Sequence, residues 1–197
     1  MASVEDIKRL KSLTGVGLTA AKKALEEADG DFDKALEAMR IKGIAKADKK
    51  SDREASAGMV HAYIHGGKIG VLVEVNCETD FVARTDDFKA FVNDVALHVA
   101  AAAPQFVSAE DISEDIIAKE KDLIAKELEE QGKPKEMLDK IAEGKLKKFA
   151  SEISLLEQGF VKNPDMTVGE YLKETIAKLG ENMVIRRFER IEMGVYN

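Results

Sequence analysis

An α+β fold is the prediction, and three features of the sequence carry it. The first 43 residues hold three short stretches with helical spacing of apolar residues, broken at Thr14-Gly15-Val16-Gly17 and again at Asp29-Gly30-Asp31. Residues 58–65 have a strand pattern and residues 69–76 are rich in β-branched side chains, with Gly66-Gly67-Lys68 between them at the spacing of a β-hairpin. Residues 182–193 mix Met183, Val184, Ile185, Phe188 and Ile191 with Arg186, Arg187 and Arg190, as suits a strand with one wet face. The implied architecture is a three-helix module, a linker, and a core in which a small antiparallel sheet packs with helices and a helical hairpin.

The elements follow in order. Ser3 caps a helix that places Val4, Ile7 and Leu10 on one side, and Leu18 begins a second with Ala21, Leu25 and Ala28 inward. Asp31 caps a third, carrying Phe32, Ala35, Leu36 and Met39 and ending near Gly43. Residues 44–56 are rich in Lys, Ala and Asp with almost no apolar stripe, so they read as a helical, solvated linker; they lack the aromatics of a base-stacking arm. The division expected is therefore 1–43, 44–56 and 57–197. Beyond the hairpin, Phe88, Phe91, Val92, Val95 and Val99 mark a buried helix face that ends at Pro104. Ser108 and Ser113 are candidate caps for the segment that follows. A charged helix over 113–131, a Gly132-Lys133-Pro134 turn and a second helix over 134–155, with an interruption foreseen at Gly144, form an antiparallel hairpin. Residues 160–165 read as an extended loop, and Thr167 with Glu170 as the capping box of a helix that Gly180 ends.

Composition removes several classes of function. With 45% hydrophobic and 34% charged residues the chain is that of an ordinary soluble protein, and a net charge of −7 does not favour phosphate-backbone binding by the whole molecule. The single cysteine cannot close an internal disulfide, no apolar run approaches the length of a membrane span, and the N-terminus has no signal-like segment. A cytoplasmic protein is the expectation. Gly15-Val16-Gly17 lacks the further glycine or the Gly-Lys-Ser/Thr of a phosphate loop, so no nucleotide cofactor is expected. His61 and His65 face one side of a strand, but four residues of strand span roughly 13 Å, too far for joint chelation. Cys77 reads as a small buried hydrophobe rather than a nucleophile.

The stretch 69–82 stands out. A strand passes into Cys77-Glu78-Thr79-Asp80-Phe81-Val82, which puts a carboxylate and large apolar side chains on a connection, where surfaces usually turn polar. Such a tip either staples the chain locally or enters a partner. Periodicity alone favours the staple, with Phe81 as the first core residue of the helix carrying Phe88.

Two motifs together resemble the elongation factor Ts family. Thr14-Gly15-Val16-Gly17-Leu18 between short helices, followed by Lys22-Lys23-Ala24-Leu25, is similar to the family's N-terminal module, a three-helix fold like ubiquitin-associated domains; residues 69–84 look like its core signature. Glu143-Gly144-Lys145-Leu146-Lys147-Lys148-Phe149, Leu156-Glu157-Gln158 and Gly180-Glu181-Asn182 with Ile185-Arg186-Arg187 resemble the same family in the same order. The resemblance implies a protein that is not an enzyme but a guanine-nucleotide exchange factor for elongation factor Tu, the GTPase of translation elongation. It also reverses the reading of Phe81. Phe81 would enter an apolar pocket of the GTPase, with Thr79, Asp80 and Val82 holding the loop, and the push would dislodge the partner's magnesium and release GDP. Val16, Gly17, Leu18 and Thr19, flanked by Lys11 and Lys22, match the N-terminal contact loop; Leu18 and Thr19 replace methionines common there. The chain resembles the short type, in which two copies pair through their core sheets. Glu189 stands where one short-type relative has a linking cysteine, so a noncovalent homodimer is implied. Two other readings remain: a passive interaction module, and an enzyme using Cys77.

Overall fold

A computed structural model describes residues 2–130 and 135–195. Helix α1 (Val4–Thr14) is capped by Ser3, whose side chain accepts from the Asp6 amide, and α2 (Leu18–Glu27) follows after a three-residue break. Asp31 caps α3 (Phe32–Asp48), accepting from the Lys34 amide at 3.1 Å. Leu10, Ala21, Leu25, Ala35 and Met39 form the buried centre of this three-helix module, as helical spacing predicts.

Helix α3 does not stop near Gly43. It runs on to Asp48, and a Cβ at Gly43 would stand 3.1 Å from the Cβ of Ala177 in a later helix. That glycine permits a close helix–helix approach, and packing outweighs its helix penalty of about 1 kcal/mol. Ala47, one turn on, is buried in the main core. The rest of the expected helical linker is a series of turns. These are held by Lys50 Nζ on the Gly180 carbonyl and by Asn182 Nδ2, which donates to the carbonyls of Ser51 at 3.2 Å and Arg53 at 2.7 Å.

Strands β1 (Ala57–His65) and β2 (Ile69–Cys77) form the antiparallel hairpin, with His65 opposite Ile69 and Ala57 opposite Cys77. Beyond Cys77 come a single helical turn, α4 (Asp80–Ala83), and α5 (Asp86–Ala102), capped by Thr85. Val71, Val73, Val75 and Cys77 alternate onto one face of the sheet and meet Phe88, Phe91, Val92, Val95 and Val99 of α5, all buried. Helices α6 (Glu114–Glu130) and α7 (Lys135–Ile153) pair through Ile124, Leu128 and a Lys145–Glu127 ion pair, and α7 passes through Gly144 unbroken. The expected Gly132-Lys133-Pro134 turn lies outside the described residues. Ser108 opens a short 3-10 turn, donating its amide and its hydroxyl to Asp111 Oδ2, each at 2.9 Å.

Residues 160–165 are not a plain loop. Strands β3 (Gly159–Phe160) and β4 (Asn163–Thr167) pair as a miniature hairpin that carries Phe160 into the core, where it stacks on Tyr171. Helix α8 (Val168–Leu179) opens on the capping box of Thr167 and Glu170 and ends at Gly180, φ +83°. Strand β5 (Met183–Glu192) closes the sheet in the order β1-β2-β5, antiparallel to β2. The α5-facing side of this sheet is covered. Val60, Ile64, Leu72 and Ile191 on the other side are exposed.

His98 is fully buried under β3. Its Nδ1 accepts from the Val161 amide at 3.2 Å, which leaves Nε2 to donate to Gln158 Oε1 at 2.9 Å, so the ring is held neutral. Burial lowers its pKa below the ordinary histidine value. The unfolded chain therefore takes up a proton first, and this contribution is present above about pH 6.5 and lost as pH falls below it. In urea unfolding between pH 7.5 and 5.5, wild type is expected to lose stability relative to His98→Asn by at most about 1.4 kcal/mol per pH unit. Equal pH slopes for the two proteins would refute this.

Candidate functional site

The tip after β2 is built from side chains that turn inward on either side of an exposed pair, Asp80 and Phe81. The Cys77 thiol is buried and donates to the Thr79 carbonyl at 3.2 Å. Burial, with the nearby Glu181 carboxylate adding to it, pushes that thiol above its ordinary pKa. A buried, protonated thiol is a poor nucleophile, so the geometry offers nothing to a cysteine enzyme. Glu78 accepts from the Asn182 amide at 2.6 Å and from Arg53 Nη1 at 3.4 Å. The Glu181 carboxylate takes both donors of Thr79: its amide at 3.0 Å and its hydroxyl at 2.6 Å. Thr79 Oγ1 in turn accepts from the Val82 amide at 3.4 Å and so caps α4.

On that single turn the side chains separate by direction. Val82 and Ala83 pack against the core, and Thr85 donates to the Val82 carbonyl at 2.8 Å to tie the turn to α5. Asp80 is exposed, and Phe81, at 87%, is the most exposed of the large apolar side chains in the described residues. Phe81 does not fold back toward Phe88. The phenyl ring thus stands in water beside a carboxylate, on a turn fixed from behind.

The loop between α1 and α2 is fixed just as firmly. Gly15 has φ +67°, its amide donates to the Lys11 carbonyl at 2.9 Å, and a Cβ there would lie 2.7 Å from Lys178 Cα and 2.8 Å from the Lys178 carbonyl oxygen. Val16 packs against the module's core; Gly17, Leu18 and Thr19 face out, Leu18 at 52%, with Lys11 and Lys22 exposed on either side. Lys22 spends its charge on Glu26 at 3.6 Å. Leu13, exposed to a similar degree, lies beside this loop.

Tip and loop meet at one place, the C-terminus of α8. Lys178 lies against Gly15 and pairs with Asp87 of α5 at 2.7 Å, and Glu181, three residues on, holds Thr79. Sequence reading gave Lys178, Glu181, Asn182 and Glu78 no role at the site. Gly180-Glu181-Asn182 was visible as a motif, but only its helix stop was legible, because its partners are about a hundred residues away. Among the described residues no group of three or more His, Cys, Asp or Glu side chains could hold a metal ion, and His65 Nδ1 is engaged by the Tyr63 hydroxyl at 3.0 Å. No helix among the described residues is long and apolar enough to cross a membrane.

Comparison with known proteins gives one answer. The family model described as elongation factor TS matches residues 2–179. The elongation factor Ts of Carboxydothermus hydrogenoformans is 52% identical over 195 residues, covering 98% of this chain and 90% of its own. That of Alkaliphilus oremlandii is 53% identical over 188 residues, 95% of this chain and 87% of its own, and that of Geobacter sulfurreducens 52% over 189 residues, 95% and 88%.

Proposed function

Because the chain belongs to the elongation factor Ts family, we propose that it is a translation elongation factor that catalyses no chemical step itself but exchanges guanine nucleotide on elongation factor Tu. The observation that carries this reading is Phe81, solvent-exposed on a turn clamped by Thr79 and Glu181. The factor binds the GDP-bound GTPase, Phe81 enters an apolar pocket, and the partner's magnesium and phosphate loop are displaced. Magnesium is a large part of what holds a nucleoside diphosphate in such sites, so its loss weakens GDP without chemistry by the factor. GTP then binds. Linkage requires the converse: GDP weakens the factor's hold on the GTPase by the same ratio.

In this reading residues 1–43 act as a second contact, presenting Val16, Gly17, Leu18 and Thr19 between Lys11 and Lys22, while residues 57–197 carry the wedge. Two copies of the chain pair noncovalently. The open sheet face, with Val60, Ile64, Leu72 and Ile191 exposed and Glu189 opposite Leu72, supports pairing face to face. The factor works in the cytoplasm, needs no cofactor of its own, and touches no nucleic acid directly.

Release of a fluorescent GDP from elongation factor Tu tests the function. Substoichiometric factor is expected to accelerate release at every magnesium concentration, most visibly where magnesium is high. Binding to the GTPase with release unchanged would overturn exchange in favour of a passive interaction module.

A further inference from the structure

We propose that Glu181 is the positioning residue of the exchange reaction, holding the wedge turn rigid before the partner arrives. This rests on the exchange reading above. A four-residue helix does not hold itself: nucleating one turn costs more backbone freedom than its single hydrogen bond returns. Phe81 adds little, because its ring is almost fully exposed. The cap that remains, Thr79 Oγ1 to the Val82 amide, is long at 3.4 Å. What makes it effective is the carboxylate behind it. Glu181 Oε1 accepts from the Thr79 hydroxyl at 2.6 Å and Oε2 from the Thr79 amide at 3.0 Å, so one side chain fixes both the rotamer and the backbone of the capping residue.

Glu181 is itself held in place. Gly180 turns the chain at φ +83° with Lys50 on its carbonyl, and Asn182 gives its amide to Glu78 at 2.6 Å. The two segments thus exchange carboxylates: Glu78, leaving β2, reaches the backbone after α8, and Glu181, leaving α8, reaches the backbone after β2. Neither segment can shift without breaking both. Only an ionised carboxylate accepts at both oxygens, which makes the charge, and not the size, of residue 181 the requirement.

Glu181→Gln keeps the shape and offers one acceptor where two are needed. With saturating full-length factor the maximal GDP release rate is expected to fall about tenfold, the scale of a charge-assisted hydrogen bond. The half-saturating concentration should change little, because the N-terminal contacts persist. In a Phe81→Ala background the same substitution should have no further effect. In the free protein, hydrogen exchange at the Val82 amide should quicken in Glu181→Gln while the melting temperature stays within a few degrees.

Wild-type release rates from Glu181→Gln, or a full further loss on top of Phe81→Ala, would overturn the proposal while leaving the exchange function standing. If the wild-type factor fails to release GDP yet Val82 still loses protection in Glu181→Gln, the exchange reading falls and the clamp on the turn survives. Unchanged Val82 protection would sink the clamp.

Discussion

Phe81→Ala is expected to remove most of the acceleration of GDP release and to leave the protein folded. The two halves of that result have separate causes. At 87% exposure the ring buries little of its surface in the free factor, so truncating it costs little stability. In the complex the same ring would pass from water into an apolar pocket, and an aromatic anchor in such a place is worth about 2–4 kcal/mol, or roughly 30- to 1,000-fold in rate. The test is the fluorescent GDP release assay with thermal unfolding run in parallel. Should the variant match wild type in rate, exchange would stand but another residue would have to be the wedge. Should it unfold, the exposure described here would be wrong.

Gly15→Ala should produce the largest loss of stability among substitutions in the N-terminal contact loop. The residue sits at φ +67°, which costs an alanine about 1–2 kcal/mol by itself. The new Cβ would also lie 2.7 Å from Lys178 Cα and 2.8 Å from its carbonyl oxygen, and backbone cannot swing away as a side chain can. We expect a total of about 2–4 kcal/mol, seen as a fall of roughly 5–15 °C in melting temperature. The module would also separate from α8, so the half-saturating concentration for exchange should rise. Gly17→Ala is the control: its φ is −67° and nothing lies within 4 Å of the added carbon, so its cost should stay below about 1 kcal/mol. Equal melting temperatures for the two variants would refute the close packing of Gly15.

What could be read from sequence was whatever the chain settles locally. Ser3, Asp31 and the Thr167–Glu170 pair announce their helices because a cap and its amide are three residues apart. The hairpin and the buried face of α5 follow from alternation and helical spacing. The misreadings share a cause. Gly43 looks like a stop until Ala177 is placed against it, and 49–56, solvated as expected, look helical until Asn182 takes the carbonyls of Ser51 and Arg53. Residues 159–167 hide a hairpin because its runs are too short to show a period. At the candidate site, periodicity favours Phe81 as a core residue of the next helix; resemblance, not pattern, reverses that reading. Glu78 and Glu181 were silent because a carboxylate that reaches across the fold leaves no mark on its own neighbourhood.

The placement of β5 bears on how the molecule is made. A nascent chain emerging in order can build α1 to α3, fold the β1-β2 hairpin and lay α5 on it with contacts close in sequence. The middle strand then waits. Its second neighbour arrives only with Met183 opposite Cys77, and the carboxylate for Thr79 lies 102 residues downstream of it. Closing so long a loop is entropically costly and slow compared with forming hairpins and helices. The turn bearing Phe81 is thus translated early and set last. A chain cut short before residue 181 would have every wedge residue but not the carboxylate that fixes Thr79.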